Sequence, residues 1–376
     1  MKILELGKFY PPERGGIETL LKLWCEGFVA AGDEVDCVVA NTSARTVDET
    51  PGGVRVHRLA SHGMAMGTSL CPSYISAPRR FPADIVHAHF PNPLADLACL
   101  RTPKGTPVVV SWHSDIVRQR ALMGLYKPLQ TALLRRADRI VVATPNHLEF
   151  SPWLPAFRDK VAVIPFGLDL ARFAPGAFDP AKVAALRARA GGRAILLNVG
   201  RLVGYKGQRH AIEALAELPG AELWLVGTGP LEAALRGTAA AAGVADRVVF
   251  HGDVADADLP CFFHACDIFV FPSVTPNEAF GLVQVEAMAC GKPVVACTLR
   301  SGVPWVCADG VTGLTVPPGE SAALALALRR LLGEESLRLR LGEAGRRRAR
   351  EEFASAVMVE RYRSLFARLR GPTRLE

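Results

Sequence analysis

The stretch Glu278-Ala-Phe-Gly281-Leu-Val-Gln-Val-Glu286-Ala-Met-Ala-Cys-Gly291-Lys-Pro293 predicts a polar loop followed by a short helix. An apolar strand at residues 267–271 precedes the loop. The helix should run from about Gly281 to Cys290, because a glycine and then a proline stop it. The start of such a helix is a candidate anion site, since its first amide groups have no partner inside the helix. The amides concerned belong to Phe280, Gly281, Leu282 and Val283.

Two carboxylates flank this helix start. Glu278 precedes the helix and can reach a ligand that lies over it, whereas Glu286 lies about a turn and a half inside the helix. Carboxylates accept hydrogen bonds from hydroxyl groups, which suits the hydroxyls of a sugar and of a ribose. From these residues alone an alternative stays open, in which one acid favours the helix dipole and the other is solvated.

The spacing Glu-x7-Glu, followed by Met-Ala-Cys-Gly-Lys-Pro-Val-Val-Ala, resembles the signature of the retaining GT-B glycosyltransferases of family 4. Flanking segments fit the same family, so the resemblance covers nearly the whole chain. It implies an α/β fold with two Rossmann-like parallel-sheet domains that face a central cleft. It also implies a nucleotide diphosphate sugar as co-substrate and no cofactor, with Glu278 orienting the sugar and Glu286 binding the ribose diol.

The length of 376 residues predicts two domains. Breaker residues between Asp169 and about Gly191 mark the linker. We therefore expect one domain at residues 1–168 and another at residues 169–355. The resemblance assigns the acceptor to the first and the nucleotide sugar to the second, and implies that a last helix, residues 356–376, packs back on the first domain.

The composition is that of a soluble globular protein, with 49% apolar and 22% charged residues. We find no run of 18 apolar residues and no signal-like start, and the nine cysteines are scattered, which predicts a cytoplasmic protein. The net charge of +7 indicates an anionic partner. A nucleotide sugar or an anionic membrane surface fits. Nucleic acid does not, because no recognised module is present.

In the first half, apolar strands alternate with helical patterns, which predicts a parallel sheet with crossover helices. Gly15-Gly16 opens a helix that extends to about Ala31 and leaves bare amide groups at its start. On its own such a turn is more often a chain reversal than a site. The resemblance places this loop beside the donor, and so implies that Gly16 binds the donor and that Gly15 and Glu18 lie on the acceptor side.

A predicted strand at residues 107–112 runs directly into His113. Sites in open α/β sheets lie at the carboxyl ends of strands, although a lone histidine there is often structural. Trp112-His113-Ser114-Asp115 resembles the cleft histidine region of the family, and more narrowly that of bacterial O-antigen and exopolysaccharide mannosyltransferases. The resemblance implies that His113 hydrogen-bonds the donor sugar and that Asp115 lies on the acceptor side.

Residues 117–137 predict a basic amphipathic helix, which Pro128 should kink or divide. Its cations include Arg118, Arg120 and Lys127. Such a surface suits anionic lipid headgroups, but a packed helix with a solvated basic face explains the pattern equally well. A peripheral contact with the inner face of the cell membrane therefore stays open.

In the second half, Arg201 and Lys206 follow a strand and flank a turn, so they can converge on one pyrophosphate. The resemblance assigns both to the donor diphosphate. Gly227 begins a Gly-x-Gly turn that Pro230 excludes from the dinucleotide fingerprint, although a nucleotide can still approach it. Val254 follows the next strand, where the family cradles the base with backbone groups.

The sequence predicts no metal requirement. Asp256-Ala-Asp258 has the form of a metal-binding pair, but its place before a helix favours capping or surface roles. We find no other acidic or histidine cluster with metal-ligand spacing. Trp305 departs from the family, in which many members carry an acid at that position, and so puts an acidic role there in doubt.

Together with these observations, the resemblance implies a metal-independent, retaining hexosyltransferase of surface polysaccharide synthesis. GDP-mannose is the favoured donor, and the acceptor is a glycan or a lipid-linked saccharide. Glu278, Arg201, Lys206 and His113 are the candidate catalytic residues. The alternatives are a UDP-sugar-dependent enzyme of the same family, a GT-B nucleotide-sugar epimerase, and a non-enzymatic protein that binds polyanions or membrane. The sequence leaves the oligomeric state open.

Overall fold

The computed structural model describes residues 1–13, 15–65, 68–115, 123–174 and 176–370. The chain divides into two compact units. The first comprises Met1–Gly167 and the segment that begins at Ser355, and the second is Leu168–Ala354. Each boundary falls one residue before the expected one. Each unit holds its own largely parallel sheet, which confirms the predicted α/β class with two Rossmann-like domains.

The large sheet of the first unit has eight strands in the order β10-β9-β8-β7-β1-β2-β4-β3. All its pairs are parallel except β3 with β4, and β5 and β6 form a separate two-stranded sheet. The strands are β1 Lys2–Leu6, β2 Glu34–Ala40, β3 Val47–Glu49, β4 Arg55–Leu59, β5 Met64–Ala65, β6 Thr68–Ser69, β7 Ile85–Phe90, β8 Val108–Trp112, β9 Arg139–Val142 and β10 Val161–Val163.

The helices of this unit connect the strands, and one from the end of the chain joins them. They are α1 Gly16–Ala30, α2 Ala77–Arg80, α3 Pro93–Leu100, α4 Met123–Arg136, α5 Pro145–Phe150 and α14 Ser355–Arg370. Helix α14 lies against α1, where Tyr362 is 5.6 Å from Trp24 and Phe366 is 5.6 Å from Phe28 between ring centroids.

The sequence predicts that Pro128 kinks or divides the basic helix. Helix α4 continues through Pro128, so the division is wrong, and the kink stays a prediction. A proline inside a helix removes one hydrogen bond but is tolerated where packing holds the helix, and Leu133 and Leu134 of α4 are buried in the core of this unit. Residues 117–122 of the predicted basic helix, including Arg118 and Arg120, lie outside the described residues.

The second unit has a six-stranded, wholly parallel sheet in the order β13-β12-β11-β14-β15-β16. Its strands are β11 Ala194–Val199, β12 Ala221–Val226, β13 Val248–Gly252, β14 Ile268–Phe271, β15 Val294–Cys297 and β16 Gly313–Val316. Its helices are α6 Pro180–Arg189, α7 Gln208–Leu215, α8 Glu232–Ala241, α9 Leu259–Ala265, α10 Leu282–Ala289, α11 Val303–Val306, α12 Ser321–Gly333 and α13 Glu335–Glu352.

The central strands of both sheets are buried on both faces, as the near-continuous apolar strands of parallel sheets usually are. Strand β7 departs from this pattern because it carries His87 and His89 among its apolar residues. Their neighbour on β1 is Glu5, which pairs with His87 in register. None of the helices described by the structure is long and apolar enough to cross a membrane.

Candidate functional site

The predicted cation and the predicted sugar-binding acid meet in the second unit. Lys206 Nζ lies 2.6 Å from Glu278 Oε2, and the two side chains are 14% and 11% exposed. The hydroxyl of Ser273 donates to the same carboxylate oxygen at 3.2 Å. The ammonium group also lies 5.3 Å from the ring centroid of Phe271. An ammonium and a carboxylate are thus held together on two loops that follow neighbouring strands.

The backbone explains why these loops lie so close. Gly207 has a positive φ of 67°, and a side chain there would collide with the carbonyl oxygen of Pro272. The amide of Val274 donates to the carbonyl of Tyr205 at 2.8 Å. A glycine at the end of one loop therefore lets the other approach, and this approach brings Lys206 to Glu278.

The helix start is formed as the sequence predicts, with Gly281 as the residue before α10. Gly281 has φ 74°, and a Cβ atom there would lie 2.5 Å from the ring of Phe271. No side chain of the described residues caps the helix, so none of their side-chain oxygens covers its first amide groups, at Leu282 and Val283. The carbonyl of Phe280 accepts a hydrogen bond from Gln284 Nε2 at 2.6 Å.

Glu286 lies on α10 in a partly buried position. Burial raises the pKa of its carboxyl group to about 7, against the opposing charge of Arg172. Near neutral pH the group can therefore be a carboxylate or a neutral acid. A carboxylate accepts hydrogen bonds from a diol, whereas the neutral acid carries a proton of its own.

Three further predicted residues of this unit lie at the carboxyl ends of β11 to β13. Arg201 is exposed, and its guanidinium group has no partner within the part of the chain that the structure describes. Gly227 has φ 124°, and a side chain there would collide with the carbonyl of Gly200, next to Arg201. Val254 lies two residues beyond the end of β13 and is partly buried. The carboxyl edge of this sheet thus collects the predicted donor-binding residues.

Trp305 has a packing role at the position where the family pattern has an acid. Its ring centroid lies 5.8 Å from that of Phe353 and 4.7 Å from the guanidinium of Arg348. Phe353 in turn lies 5.9 Å from Phe280, so a row of aromatic rings supports the backbone at the start of α10.

In the first unit, Gly15 and Glu18 lie together at the start of α1. A side chain at Gly15 would collide with the Glu18 carboxylate, whereas the space at Gly16 is open. Asp115 takes hydrogen bonds from Ser151 at 2.9 Å and from the indole of Trp112 at 3.1 Å. Burial raises the pKa of Asp115. Since two protein groups already occupy this carboxylate, its predicted acceptor-side role remains a prediction.

His113 belongs to a buried cluster that the sequence analysis missed. His113 Nε2 lies 3.0 Å from His89 Nδ1, and His89 Nε2 lies 2.9 Å from Glu5 Oε2. The other carboxylate oxygen of Glu5 lies 2.9 Å from His87 Nδ1. The available signal was the spacing His-x-His on a strand, which puts both rings on one face of the sheet.

The cluster also overturns one of the reasons for predicting that the protein needs no metal ion. Among the described residues, the ligand atoms of Glu5, His87 and His89 lie within 4.8 Å of one another, a spacing that can suit a metal ion. The statement that no other cluster has such spacing was therefore wrong, and metal independence stays a prediction. Asp258 forms an ion pair with Lys182 at 2.6 Å and does not cap α9.

The second unit also contains a cavity of about 630 Å³ that lies away from the predicted site. Its lining includes Ala194, Gly220 and Asp267, which are at the amino ends of strands and so opposite the predicted site. Its arginines are committed to protein partners, such as Arg329 to Glu217 at 2.8 Å. This cavity contains none of the predicted site residues.

Two family models match the chain. The model described as Glycosyl transferases group 1 matches residues 185–348, which include the Lys206–Glu278 pair. The model described as Glycosyl transferase 4-like domain matches residues 15–167, which include His113.

Similarity to known proteins extends along nearly the whole chain. Identity is 34% to the O-antigen chain mannosyltransferase C of Escherichia coli, over 98% of this chain and 99% of that protein. It is 34% to a D-rhamnosyltransferase of Pseudomonas aeruginosa, over 94% of this chain and 93% of that protein. It is 31% to a GDP-mannose-dependent α-(1-6)-phosphatidylinositol monomannoside mannosyltransferase of Mycolicibacterium smegmatis, over 90% of this chain and 91% of that protein.

Among solved structures, the fold is similar to that of the sucrose-phosphate synthase of Thermosynechococcus elongatus. The TM-score is 0.75 at 25% sequence identity, and the match covers 98% of this chain and 99% of that one.

Proposed function

The chain belongs to the glycosyl transferases of group 1, and on this premise we propose that it transfers a mannosyl residue from GDP-mannose to a glycan or a lipid-linked saccharide, with retention of the anomeric configuration. The proposal includes surface polysaccharide or glycolipid synthesis as the setting, a contact with the cytoplasmic face of a membrane through the acceptor, and no requirement for a metal ion.

The observation that carries this proposal is the ion pair of Lys206 and Glu278 beside the uncapped start of α10. A nucleotide diphosphate sugar has a diphosphate that needs positive groups and a sugar that offers hydroxyl donors. Lys206 suits the first and Glu278 the second, and the two are held within hydrogen-bonding distance. When the donor binds, its phosphate and sugar replace part of the contact that these side chains make with each other.

The chemistry follows from where charge develops. As the bond between the sugar and the phosphate breaks, negative charge builds on the leaving phosphate and the sugar becomes oxocarbenium-like. The amide groups of Leu282 and Val283 and the ammonium of Lys206 are preorganised to stabilise that negative charge. Arg201 is exposed and its guanidinium group is unpaired among the described residues, so it can move onto the diphosphate without losing a contact with them.

No covalent nucleophile is needed in this proposal. The acceptor hydroxyl attacks on the face that the phosphate leaves, the leaving phosphate oxygen takes the hydroxyl proton, and the new glycosidic bond keeps the configuration of the donor. Glu278 orients the sugar and Glu286 binds the ribose diol.

Mannose is supported by the similarity to two mannosyltransferases, and GDP by the similarity to the one that is GDP-mannose-dependent. D-rhamnose is a second candidate sugar, because a D-rhamnosyltransferase is as similar, at 34% identity. The two sugars differ by one hydroxyl group, so the choice between them depends on a single polar contact.

The deciding experiment is a donor panel with the purified protein. GDP-mannose, GDP-D-rhamnose, UDP-glucose, dTDP and ADP sugars are each tested for a thermal shift and for transfer to lipid-linked saccharide acceptors. We expect the largest shift and the fastest transfer with GDP-mannose. A UDP sugar that exceeds it in both measurements, or interconversion of the donor without an acceptor, would contradict the proposal.

Two features of the mechanism have tests of their own. The anomeric configuration of the product, read by NMR, should match that of the α-donor, and a β-linked product would rule out retention.

Transfer should continue at full rate after exhaustive treatment with EDTA, and activity that returns only with added divalent metal would refute metal independence.

A further inference from the structure

A continuous path of hydrogen bonds connects Glu5 to His113 through the interior of the first unit. Glu5 Oε2 lies 2.9 Å from His89 Nε2, and His89 Nδ1 lies 3.0 Å from His113 Nε2. The three side chains belong to β1, to β7 and to the residue after β8, and they are 0%, 2% and 5% exposed. The path ends at His113 Nδ1, which is buried and has no partner among the described residues.

The direction of each hydrogen bond follows from what each group can donate. Burial alone would raise the pKa of Glu5, but its two carboxylate oxygens each lie 2.9 Å from a ring nitrogen, His87 Nδ1 and His89 Nε2, and these contacts lower the pKa. Glu5 is therefore a carboxylate and can only accept, so His89 Nε2 must carry the hydrogen. Burial lowers the pKa of His89, so its ring is neutral and its Nδ1 is bare.

The hydrogen of the next ring, His113, is fixed in the same way. A bare His89 Nδ1 can only accept, so His113 Nε2 must carry the hydrogen of the bond between them. Burial and the neighbouring histidines hold the pKa of His113 well below its usual range, so this ring is neutral too. His113 Nδ1 is then left as a buried hydrogen-bond acceptor, and buried polar atoms without a partner are rare in folded proteins.

We propose that Glu5 and His89 are positioning residues that fix His113 in the tautomer with a bare Nδ1, so that this atom accepts a hydrogen bond from a hydroxyl group of the transferred sugar. The sugar as ligand rests on the proposed function, whereas the hydrogen positions follow from the cluster itself. The carboxyl end of β8, where His113 lies, is the edge of the sheet at which ligands bind in open α/β folds.

The surrounding side chains hold the path in place. The indole of Trp24 lies against His89 and His113, with ring centroids 4.8 Å and 5.8 Å apart. On the other side of the cluster, His87 connects Glu5 to Ser111, whose hydroxyl lies 2.6 Å from that of Tyr362. Neither ring on the path can turn over without breaking a buried hydrogen bond, which is costly in the interior.

The first test measures the hydrogen positions without any substrate. In protein labelled with ¹⁵N-histidine, long-range ¹H–¹⁵N spectra distinguish a protonated ring nitrogen from a bare one, and His113→Asn assigns the His113 signals. We expect a protonated Nε2 and a bare Nδ1 at His113 from pH 6 to 8. A protonated Nδ1, or stoichiometric zinc or another metal bound to the purified protein at this cluster, would overturn the proposal.

The second test is a double-mutant cycle. Glu5→Gln keeps the shape but can donate to His89, which reverses both hydrogen bonds and gives His113 Nδ1 a hydrogen. We expect kcat/KM for the donor to fall roughly 10- to 100-fold in Glu5→Gln, with the reversed tautomer visible in the ¹⁵N spectrum. In a His113→Asn background the same change should have almost no further effect, since Glu5 acts through that ring.

Tyr362→Phe is the matched control, because it removes the hydrogen bond between Tyr362 and Ser111 in the same buried cluster but touches neither Glu5 nor the path to His113. We expect it to leave the His113 tautomer and kcat/KM near the wild-type values. Equal losses in Tyr362→Phe and Glu5→Gln, or additive losses in the double variant, would show a merely structural role and refute the proposal. If the wild-type protein transfers no sugar, the proposed function fails, and the ¹⁵N spectrum still decides the hydrogen positions.

Discussion

Lys206 and Glu278 lie on two loops of the second unit, whereas Glu5 and its three histidines lie on and just after neighbouring strands of the first unit. The loop pair keeps some access to solvent, with side chains 14% and 11% exposed, while Glu5 and His87 are 0% exposed. Because solvent reaches the loop pair, a ligand that brings its own charge and hydroxyl groups can take over part of the contact between the two side chains. Buried Glu5 must keep its histidine partners, because an unpaired charge in the interior is strongly destabilising.

The largest expected effect tests this difference in stability. Glu5→Ala removes the acceptor of two buried histidines, so we expect the free energy of unfolding to fall by about 3–5 kcal/mol. Chemical denaturation followed by circular dichroism measures it. Glu232→Ala is the control, because Glu232 forms an exposed ion pair with Arg236 on α8, and its loss should cost less than about 1 kcal/mol. Similar losses in the two variants would contradict the distinction between the regions.

The next effect concerns activity. Lys206→Ala should lose about 3 kcal/mol of transition-state stabilisation, a fall of roughly 100- to 1,000-fold in kcat, because the ammonium no longer meets the charge on the leaving phosphate. Arg201→Ala should lose a similar amount. Single-turnover assays with the preferred donor measure both variants.

Arg329→Ala is the control for these two variants, since it removes one exposed cation that is paired with Glu217 away from the predicted site. It should turn over at the wild-type rate. Near-normal turnover in both Lys206→Ala and Arg201→Ala would eliminate the proposed diphosphate site.

The same contrast explains what the sequence could and could not predict. The helix start at Gly281, the two acids and the two cations are local features, in which turn residues and spacing specify the structure. The ion pair of Lys206 with Glu278 was not predicted, because it depends on Gly207 approaching Pro272, a contact between loops 65 residues apart in number. The roles of these residues toward a donor remain predictions.

The cluster in the first unit depends still more on distant residues. Glu5 meets His87 only because β1 pairs with β7 in one particular register, and His89 meets His113 through the pairing of β7 with β8. A single sequence does not determine which residues of neighbouring strands lie side by side. The contacts between the polar residues of these strands could therefore not be predicted. Likewise, the continuous helix α4 shows that packing of Leu133 and Leu134 outweighs the local signal of Pro128.

A glycine substitution tests whether local backbone geometry forms the loop site. Gly281→Ala places a Cβ atom on a residue with φ 74° and 2.5 Å from the ring of Phe271. We expect a loss of about 2 kcal/mol in stability and weaker donor binding, because the start of α10 must shift. Gly237→Ala is the control, since Gly237 is exposed on α8 with open space around it, and should gain up to about 1 kcal/mol. Unchanged melting and binding in Gly281→Ala would contradict this account.

The smallest expected effect distinguishes stability from binding at Glu286. Burial raises the pKa of this carboxyl group to about 7, so it is ionised above pH 7 and protonated below. Donor affinity should fall roughly tenfold from pH 8 to pH 6, as the acceptor for the ribose diol is lost. Isothermal titration with the donor nucleotide at pH 6, 7 and 8 measures this.

As the pH rises, ionisation of Glu286 should strengthen donor binding but destabilise the folded protein. A carboxyl group whose folded-state pKa lies above its unfolded value of about 4.5 destabilises the protein as the pH rises through that interval. Glu286→Gln should therefore bind the donor weakly at every pH, yet melt at a higher temperature than the wild type at pH 8. Two outcomes would contradict this link between the burial of Glu286 and donor binding. One is a wild-type donor affinity that is the same from pH 6 to 8. The other is a melting temperature of the variant below that of the wild type at pH 8. The expected result would show that α10 keeps a partly buried acid for donor binding at the expense of stability.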